Sequence, residues 1–569
     1  MAVQLTKEQA AVVASRGGEL LVSAAAGSGK TFVLVQRLLD RVIREGLDLD
    51  QFLIITFTKA AAAELRSKIM AAISKERKAR PEDAHLKRQA TLIYRTQIST
   101  IHAFCTRLLR ESSAQLNLDP DFRMAEDSEA GLLRSQTLDR VIEEAYEHLE
   151  EGHFASLVDT LSAGRDDNRL KTIVLDIHSR IQSHPDPERW LREQSEAFNL
   201  TGITDAGQTT WGALLIQDAR EQVEYWRRQM VRALDLLAGD KILEQAYADN
   251  ICDTLDSMDE FLGATRQGWD AAAARAEIRF GKLKAARKVE DPALKEQIKG
   301  LRDQCKKKMK QMAELFLGDS ASLLGDLAAV RELVQELFRL VITFEHAYQQ
   351  AKQTRRMLDF NDLEHFAVQA LVGPDGKPTA LAGQWQSRFA EVMVDEYQDT
   401  NAVQNAIFNA LTGGGKTLFQ VGDVKQSIYR FRLADPGIFL EKFNRFPKEA
   451  QAAEGEPRTL VLSRNFRSRP SVLEAVNFIF EQIMTPAFGE IAYTEDQRLY
   501  AGMAFPEHLD DETELNILDL ANMETEEDEA SVPKDQVEAQ FIAERVRQLL
   551  EEPFSVTEDG VLRPVRPED

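Results

Sequence analysis

Short apolar runs alternate with helix-period segments from Leu5 to about Arg110. Leu20-Leu21-Val22, Phe52-Leu53-Ile54-Ile55 and Ile98-Ser99-Thr100 read as strands, and Phe32–Ile43 spaces its apolar residues as a helix does. Such alternation predicts a parallel α/β sheet. From about Asp121 to Arg356 the pattern changes to long amphipathic stretches rich in Leu, Ala, Glu, Lys and Arg, including Ser128–Leu149, Ala219–Leu237 and Ala328–Lys352, which predict an all-helical insertion. Strand signals return at Glu391-Val392-Met393-Val394, Thr417–Val421 and Thr459-Leu460-Val461-Leu462. The first sheet is expected to resume there, and a second to begin near residue 450, after the polar stretch Lys448–Arg458. Further on, Glu514–Leu520 reads as a strand, Met523–Asp535 as an acidic linker and Val537–Glu551 as a helix, with another element expected to start near Val561–Asp569.

Composition narrows the class without deciding it. A chain of 569 residues, 43% of them hydrophobic, has room for several domains of about 100–200 residues each. The N-terminus shows no positive segment followed by an apolar run, and no apolar stretch of about 18 residues occurs, so neither a signal peptide nor a membrane span is expected. Cys105, Cys252 and Cys305 are scattered and form no CxxC, which fits a reducing cytoplasm and gives no sign of a disulfide framework or a metal–thiolate site. The net charge of −23 argues against a nucleic-acid partner when taken alone. Charge is local, however: Arg279–Lys310 holds twelve Lys/Arg against four Asp/Glu. Two readings stand for that stretch, a solvated helical face and an arm that binds a phosphate backbone.

Two motifs carry chemistry. Ala24-Ala25-Ala26-Gly27-Ser28-Gly29-Lys30-Thr31 has the form of a phosphate-binding loop between a strand and a helix, with Ala24 where the general pattern has Gly. Its glycines let backbone N–H groups curl round phosphates, Lys30 reaches the terminal phosphate oxygens, and Thr31 offers a hydroxyl to Mg²⁺. Well over half the chain away, Val394-Asp395-Glu396 ends an apolar strand in a carboxylate pair. A lone Asp-Glu is ordinarily a surface pair, but beside a phosphate loop Asp395 can hold Mg²⁺ and Glu396 can orient and deprotonate an attacking water. ATP and Mg²⁺ are therefore the expected cofactors.

The motifs then resemble a known family. Gly27–Thr31, Asp395-Glu396-Tyr397-Gln398-Asp399-Thr400 and Gly422-Asp423-Val424-Lys425-Gln426-Ser427-Ile428-Tyr429-Arg430-Phe431-Arg432 are similar, in order, to motifs I, II and III of the UvrD-like branch of superfamily 1 DNA helicases. Thr56–Leu65 resembles motif Ia, Ser99–Cys105 the next DNA-contacting motif, and Asn465-Phe466-Arg467-Ser468 motif IV. Ile101–Cys105, the helical insertion, Leu358–Leu363 and the run through Leu118-Asp119-Pro120-Asp121-Phe122-Arg123 resemble the RecB/AddA group, most of all its AddA-type helicase–nucleases.

That resemblance implies an architecture and a set of roles. It implies a RecA-like motor domain formed by residues 1–120 and 357–449, a helical insertion domain over 121–356, and a second, incomplete RecA-like domain over 450–569. Gln9 and Arg37 would contact adenine and Phe466 would stack on it. Gln426 would sense the γ-phosphate, and Arg467 would place a cation on it, its plain alternative being a surface ion pair. Phe57, His102, Tyr429 and Phe431 would meet DNA bases, with Arg432 on phosphate. His102 as a structural histidine, and Tyr429 as a residue packed within the first domain, stay open beside those roles. The implied activity is ATP-driven 3′→5′ movement on single- and double-stranded DNA in break repair and recombination, in a heterodimer with a partner of AddB type. The later DNA-coupling motif, the second arginine motif and the nuclease signature of the group do not occur in the sequence. The resemblance therefore covers an N-terminal half, expected to bind ATP·Mg²⁺ but hydrolyse it poorly by itself, and a binding module without its own helicase activity is the alternative reading.

Overall fold

The computed structural model describes residues 5–116, 118–149, 152–161, 166–505, 512–518, 533–551, 554–558 and 561–567. Its contacts divide the chain into two compact units, one formed by Met1–Ala130, Gln182–Asp186 and Lys352–Asp569, the other by Gly131–Ile181 and Pro187–Ala351.

The first unit is built on a six-stranded sheet whose paired strands all run parallel. Its strands are β1 (Leu20–Ala24), β2 (Phe52–Ile55), β3 (Gln97–Ser99), β4 (Glu391–Val394), β5 (Leu418–Gly422) and β6 (Arg458–Leu462), in the spatial order β3-β2-β4-β5-β1-β6. Alternate side chains of a strand point to opposite faces, and both faces are covered here. Leu21, Leu53, Ile55, Val392, Val394 and Leu418 pack into one core with Phe104, Leu108, Leu363 and Ile407. Leu20, Val22, Phe52, Ile54, Met393, Phe419 and Val421 pack into the other with Val33, Leu38, Leu65 and Ile69. Burial on two faces is why these strands read as continuous apolar runs.

The expectation of a second sheet from residue 450 is corrected. Arg458–Leu462 pairs in parallel with β1 along its whole length, Leu20 facing Arg458 and Ala24 facing Leu462, and so forms the edge strand of the first sheet. Arg458 is fastened there by Nη2 to Gly17 O at 2.9 Å. Beyond it come the helix Pro470–Ile483, a two-residue parallel pairing of Arg464-Asn465 with Tyr500-Ala501, the helix Lys534–Glu551 and a hairpin of Ser555–Glu558 with Val561–Pro564. Glu514–Leu518 adopts no strand, and most of the acidic linker, together with Asp519 and Leu520, lies outside the described residues.

The second unit is helical. Thr210–Leu237, Lys241–Ala264 and Pro292–Ala313 pack Val223, Met230, Tyr247, Met258, Phe261 and Met309 around Trp269. No helix among the described residues is long and apolar enough to cross a membrane.

Candidate active site

The phosphate loop forms because β1 ends in small residues. Gly27 and Gly29 take φ of 68° and 85°, left-handed values that favour glycine, and Gly29 is the N-cap of the helix Lys30–Arg44. A side chain at Gly27 would also come within 2.7 Å of the Asn465 amide. That approach is built in: Asn465 Nδ2 donates to Ala26 O at 2.8 Å and the Phe466 N–H donates to Gly27 O at 2.9 Å. The loop is thus gripped from outside by the segment following β6. Ser28 Oγ is buried with no hydrogen-bond partner, as expected of a polar atom placed for a ligand.

Asp395 and Glu396 follow β4 directly. Glu396 sits at φ 52°, one of five described non-glycine residues with positive φ, so its side chain leaves the strand direction. Glu396 Oε2 meets Lys30 Nζ at 2.7 Å across 366 positions of sequence. Gln398 Nε2 donates to the same oxygen at 2.9 Å, while Gln398 Oε1 accepts from the Asp423 N–H at 3.0 Å. Gly422 permits this close packing, since a Cβ there would lie 2.4 Å from Gln398 Oε1. Burial, and then the charge of Glu396, push Asp395 up to about 6, and the same two causes in the same order push Asp399 up to about 6. Asp399 Oδ1 is buried without a hydrogen-bond partner.

Hard oxygen donors and orphaned buried oxygens suit a Mg²⁺–phosphate group. Among the described residues no cluster of three His, Cys, Asp or Glu could hold a metal ion by itself. Mg²⁺ bound through one carboxylate, a hydroxyl, water and phosphate oxygens needs no such cluster.

A cleft of about 400 Å³ opens beside the carboxylate pair, lined by Phe57, His102, Asp395, Glu396, Tyr429 and Arg432 among others. Phe57 and Tyr429 stack with centroids 4.6 Å apart, Tyr429 and Phe431 lie 5.8 Å apart, and the Arg432 guanidinium is 5.4 Å from the Tyr429 ring. Phe431 is 75% exposed. His102 Nε2 is 3.2 Å from Glu364 Oε1, which also accepts from Gln404 at 2.8 Å. The four aromatic candidates and Arg432 are therefore brought to one rim.

Other candidates fall elsewhere. Arg37 is not presented to a nucleotide: it is 3% exposed, with Nη2 2.6 Å from Glu391 Oε1 and Nη1 donating to Val12 O and Ser15 O at 2.6 and 2.7 Å. The adenine role expected for it is corrected, because its donors are spent inside the core. Ala24 is completely buried and shapes the start of the loop without offering a surface to a ligand. Gln9 is buried too; its Nε2 donates to Ser28 O at 3.1 Å and its Oε1 accepts from the Thr6 N–H, which fastens the helix Lys7–Ala14 to the phosphate loop. Phe466 is half-buried against Gly502, Arg467 is exposed, and Thr31 is half-buried at the start of its helix. Gln426 Nε2 holds Asp423 Oδ2 at 2.7 Å.

Sequence reading missed Asn465, Gln398 and Lys425 as parts of the site. Lys425 Nζ bridges Asp423 Oδ1 at 2.8 Å and Gln497 Oε1 at 3.0 Å. All three stand inside recognised motifs, and only their partners were invisible.

Comparison with known proteins agrees with this geometry. The family model of the UvrD/REP helicase N-terminal domain matches residues 5–447. The chain is 40% identical to the AddA protein of the ATP-dependent helicase/nuclease from Pelotomaculum thermopropionicum, over 96% of this chain and 46% of the relative. It is 36% identical to the protein of that name from Clostridium novyi, over 97% and 46%, and 37% identical to that from Bacillus mycoides, over 100% and 46%. The chain spans about half the length of the curated relatives it matches.

Proposed function

Because the chain belongs to the UvrD/REP helicase family, we propose that it is the ATP-driven DNA motor portion of an AddA-type helicase–nuclease, moving 3′→5′ along DNA in break repair and recombination. The observation that carries this reading is the meeting of Lys30 and Glu396 at 2.7 Å, which joins a phosphate loop to a carboxylate pair beside an aromatic rim. The sheet serves as a RecA-like core, and ligands of such parallel sheets bind beyond the carboxyl ends of the strands. Mg²⁺, when bound, neutralises charge on the phosphates. Thr31 and Asp395 would hold it.

Glu396 orients the attacking water and accepts its proton, with Gln398 fixing the carboxylate from the side. Lys30 holds the β/γ oxygens, and Arg467, exposed on the neighbouring segment, supplies a further cation. Gln9 and Phe466 face the base end of the nucleotide. Gln426 senses the γ-phosphate through Asp423. Phe57, His102, Tyr429 and Phe431 offer stacking faces to single-stranded DNA and Arg432 a cation to its backbone. A heterodimeric partner of AddB type and a cytoplasmic site of action belong to the same reading.

The test is single-stranded-DNA-stimulated ATP turnover with Glu396→Gln and Lys30→Ala. The first should lower kcat at least about 100-fold while nucleotide and DNA still bind, and the second should abolish nucleotide binding. Turnover that survives Glu396→Gln overturns the assignment of the base.

A further inference from the structure

The segment after the helix Pro470–Ile483 returns to both halves of the site. At its far end Leu499 packs with Ala25 and Leu473, and the Gly502 N–H donates to Asn465 O at 2.7 Å. Asn465 is the residue that grips the phosphate loop at Ala26. Asn477, 2% exposed, clamps the return from inside: its Oδ1 accepts from the Leu499 N–H and the Tyr493 hydroxyl at 2.9 and 2.7 Å, and its Nδ2 donates to Leu499 O at 2.9 Å.

The middle of the same segment holds the loop Gly422–Arg432. Gln497, 2% exposed, accepts from Lys425 Nζ at 3.0 Å, and Glu490 pairs with Arg430. Lys425 in turn holds Asp423, whose N–H is tied to Gln398 and whose carboxylate is shared with Gln426. Arg430 lies between the stacking residues Tyr429 and Phe431. Glu490 takes φ 62°, a left-handed conformation that costs a non-glycine residue about 1–2 kcal/mol and that the surrounding contacts must hold. An exposed ion pair contributes little to stability, so the Arg430–Glu490 contact matters for register more than for holding the fold.

We propose that residues 485–499 form a strap that transmits the state of the phosphate loop to the DNA-stacking rim, with Gln497 and Glu490 as positioning residues acting through Lys425 and Arg430. The proposal rests on the motor reading above. Its physical content is that one packed segment contacts both sites, so that any shift of Asn465 when the phosphate loop fills moves the anchors of Lys425 and Arg430 together. Coupling of this kind must be measured as a change in one affinity caused by the other ligand.

The experiment measures the affinity of the 569-residue chain for fluorescein-labelled oligo-dT, with and without Mg·ATPγS, and the affinity for the nucleotide in each case. The wild-type chain should show a change in DNA affinity of about fivefold or more on adding nucleotide. Gln497→Leu should reduce that factor below about twofold while each ligand alone binds as before. Gln497→Glu, which keeps an accepting oxygen for Lys425, should retain the coupling. Because Gln497→Leu could disturb folding, the surface pair gives an independent arm: Glu490→Arg should lower the factor, and Arg430→Glu/Glu490→Arg should restore it. Full coupling in both Gln497→Leu and Glu490→Arg overturns the strap. A wild-type chain that binds neither ligand overturns the motor reading, and the strap with it.

Discussion

Replacing Arg37 separates a core role from a nucleotide role by magnitude. Its guanidinium makes two contacts to Glu391 through Nε at 3.2 Å and one through Nη2 at 2.6 Å, satisfies two backbone carbonyls through Nη1, and lies 5.0 Å from the Phe419 ring centroid. Removing one partner of a buried pair costs about 3–5 kcal/mol because the other charge is left stranded. Arg41 Nη1 also reaches Glu391 Oε1, at 3.2 Å, so part of that charge stays compensated and Arg37→Ala should cost about 3 kcal/mol, the lower end of the range. At about 2–4 °C per kcal/mol for a large domain, the melting temperature should fall by about 6–12 °C. Arg37→Met/Glu391→Leu should recover most of the loss, since an apolar pair of similar volume often replaces a buried ion pair without penalty. Arg41 would keep Glu45 as its partner at 3.2 Å. Thermal melting followed by circular dichroism reads this, alongside titrations with ATP and with inorganic tripolyphosphate. An unchanged melting temperature, with a loss of affinity for ATP but not for tripolyphosphate, would refute the core assignment and restore the adenine contact.

Three further outcomes follow from the geometry. Gly27→Ala places a methyl group at a left-handed φ and against the Asn465 amide, so a fluorescent nucleotide analogue should bind at least about tenfold more weakly, the strain being about 1–2 kcal/mol before any clash. Phe431→Ala should leave the melting temperature unchanged, because the ring is 75% exposed, yet weaken oligo-dT binding by about 1–3 kcal/mol in a fluorescence anisotropy titration. Lys306, Lys307, Lys308 and Lys310 are all exposed on the helix Pro292–Ala313; replacing all four by Gln should weaken duplex DNA binding and flatten the plot of log affinity against log salt, each lost phosphate contact removing about 0.9 from the slope. An unchanged slope would leave that stretch as a solvated face.

The strands were legible because burial on two faces writes itself as an apolar run: Phe52–Ile55 and Glu391–Val394 fall where the pattern places them. The helices Asp127–Glu147 and Thr210–Leu237 likewise follow their apolar spacing, with ends shifted by caps such as Thr209. What an apolar run does not carry is the identity of its neighbour. Thr459–Leu462 reads the same whether it starts a new sheet or closes an old one. Its placement beside β1 depends on contacts such as Arg458 with Gly17, which are hundreds of positions apart. Arg37 fails in the same way. An arginine on an amphipathic helix after a phosphate loop looks available, and only Glu391, 354 positions later, shows that it is not.

The site was legible to the extent that its chemistry is local. Lys30, Asp395 and Glu396 declare themselves by residue type, but the angle at which they meet depends on a backbone conformation that sequence does not announce. Of the five described non-glycine residues with positive φ, Glu396 ends β4 and Glu490 ends the short turn before the strap, while Leu433 closes the loop that carries Tyr429 and Phe431. Each is costly for a residue with a Cβ, and each stands where an element of the site must stop abruptly. For Glu396 the gain is specific: a residue continuing β4 in extended geometry would keep the alternation of the strand, whereas the left-handed turn lets Asp395 and Glu396 serve one site. Strain at these positions is therefore better explained by the demands of the site than by those of the core, which β4 has already completed at Val394.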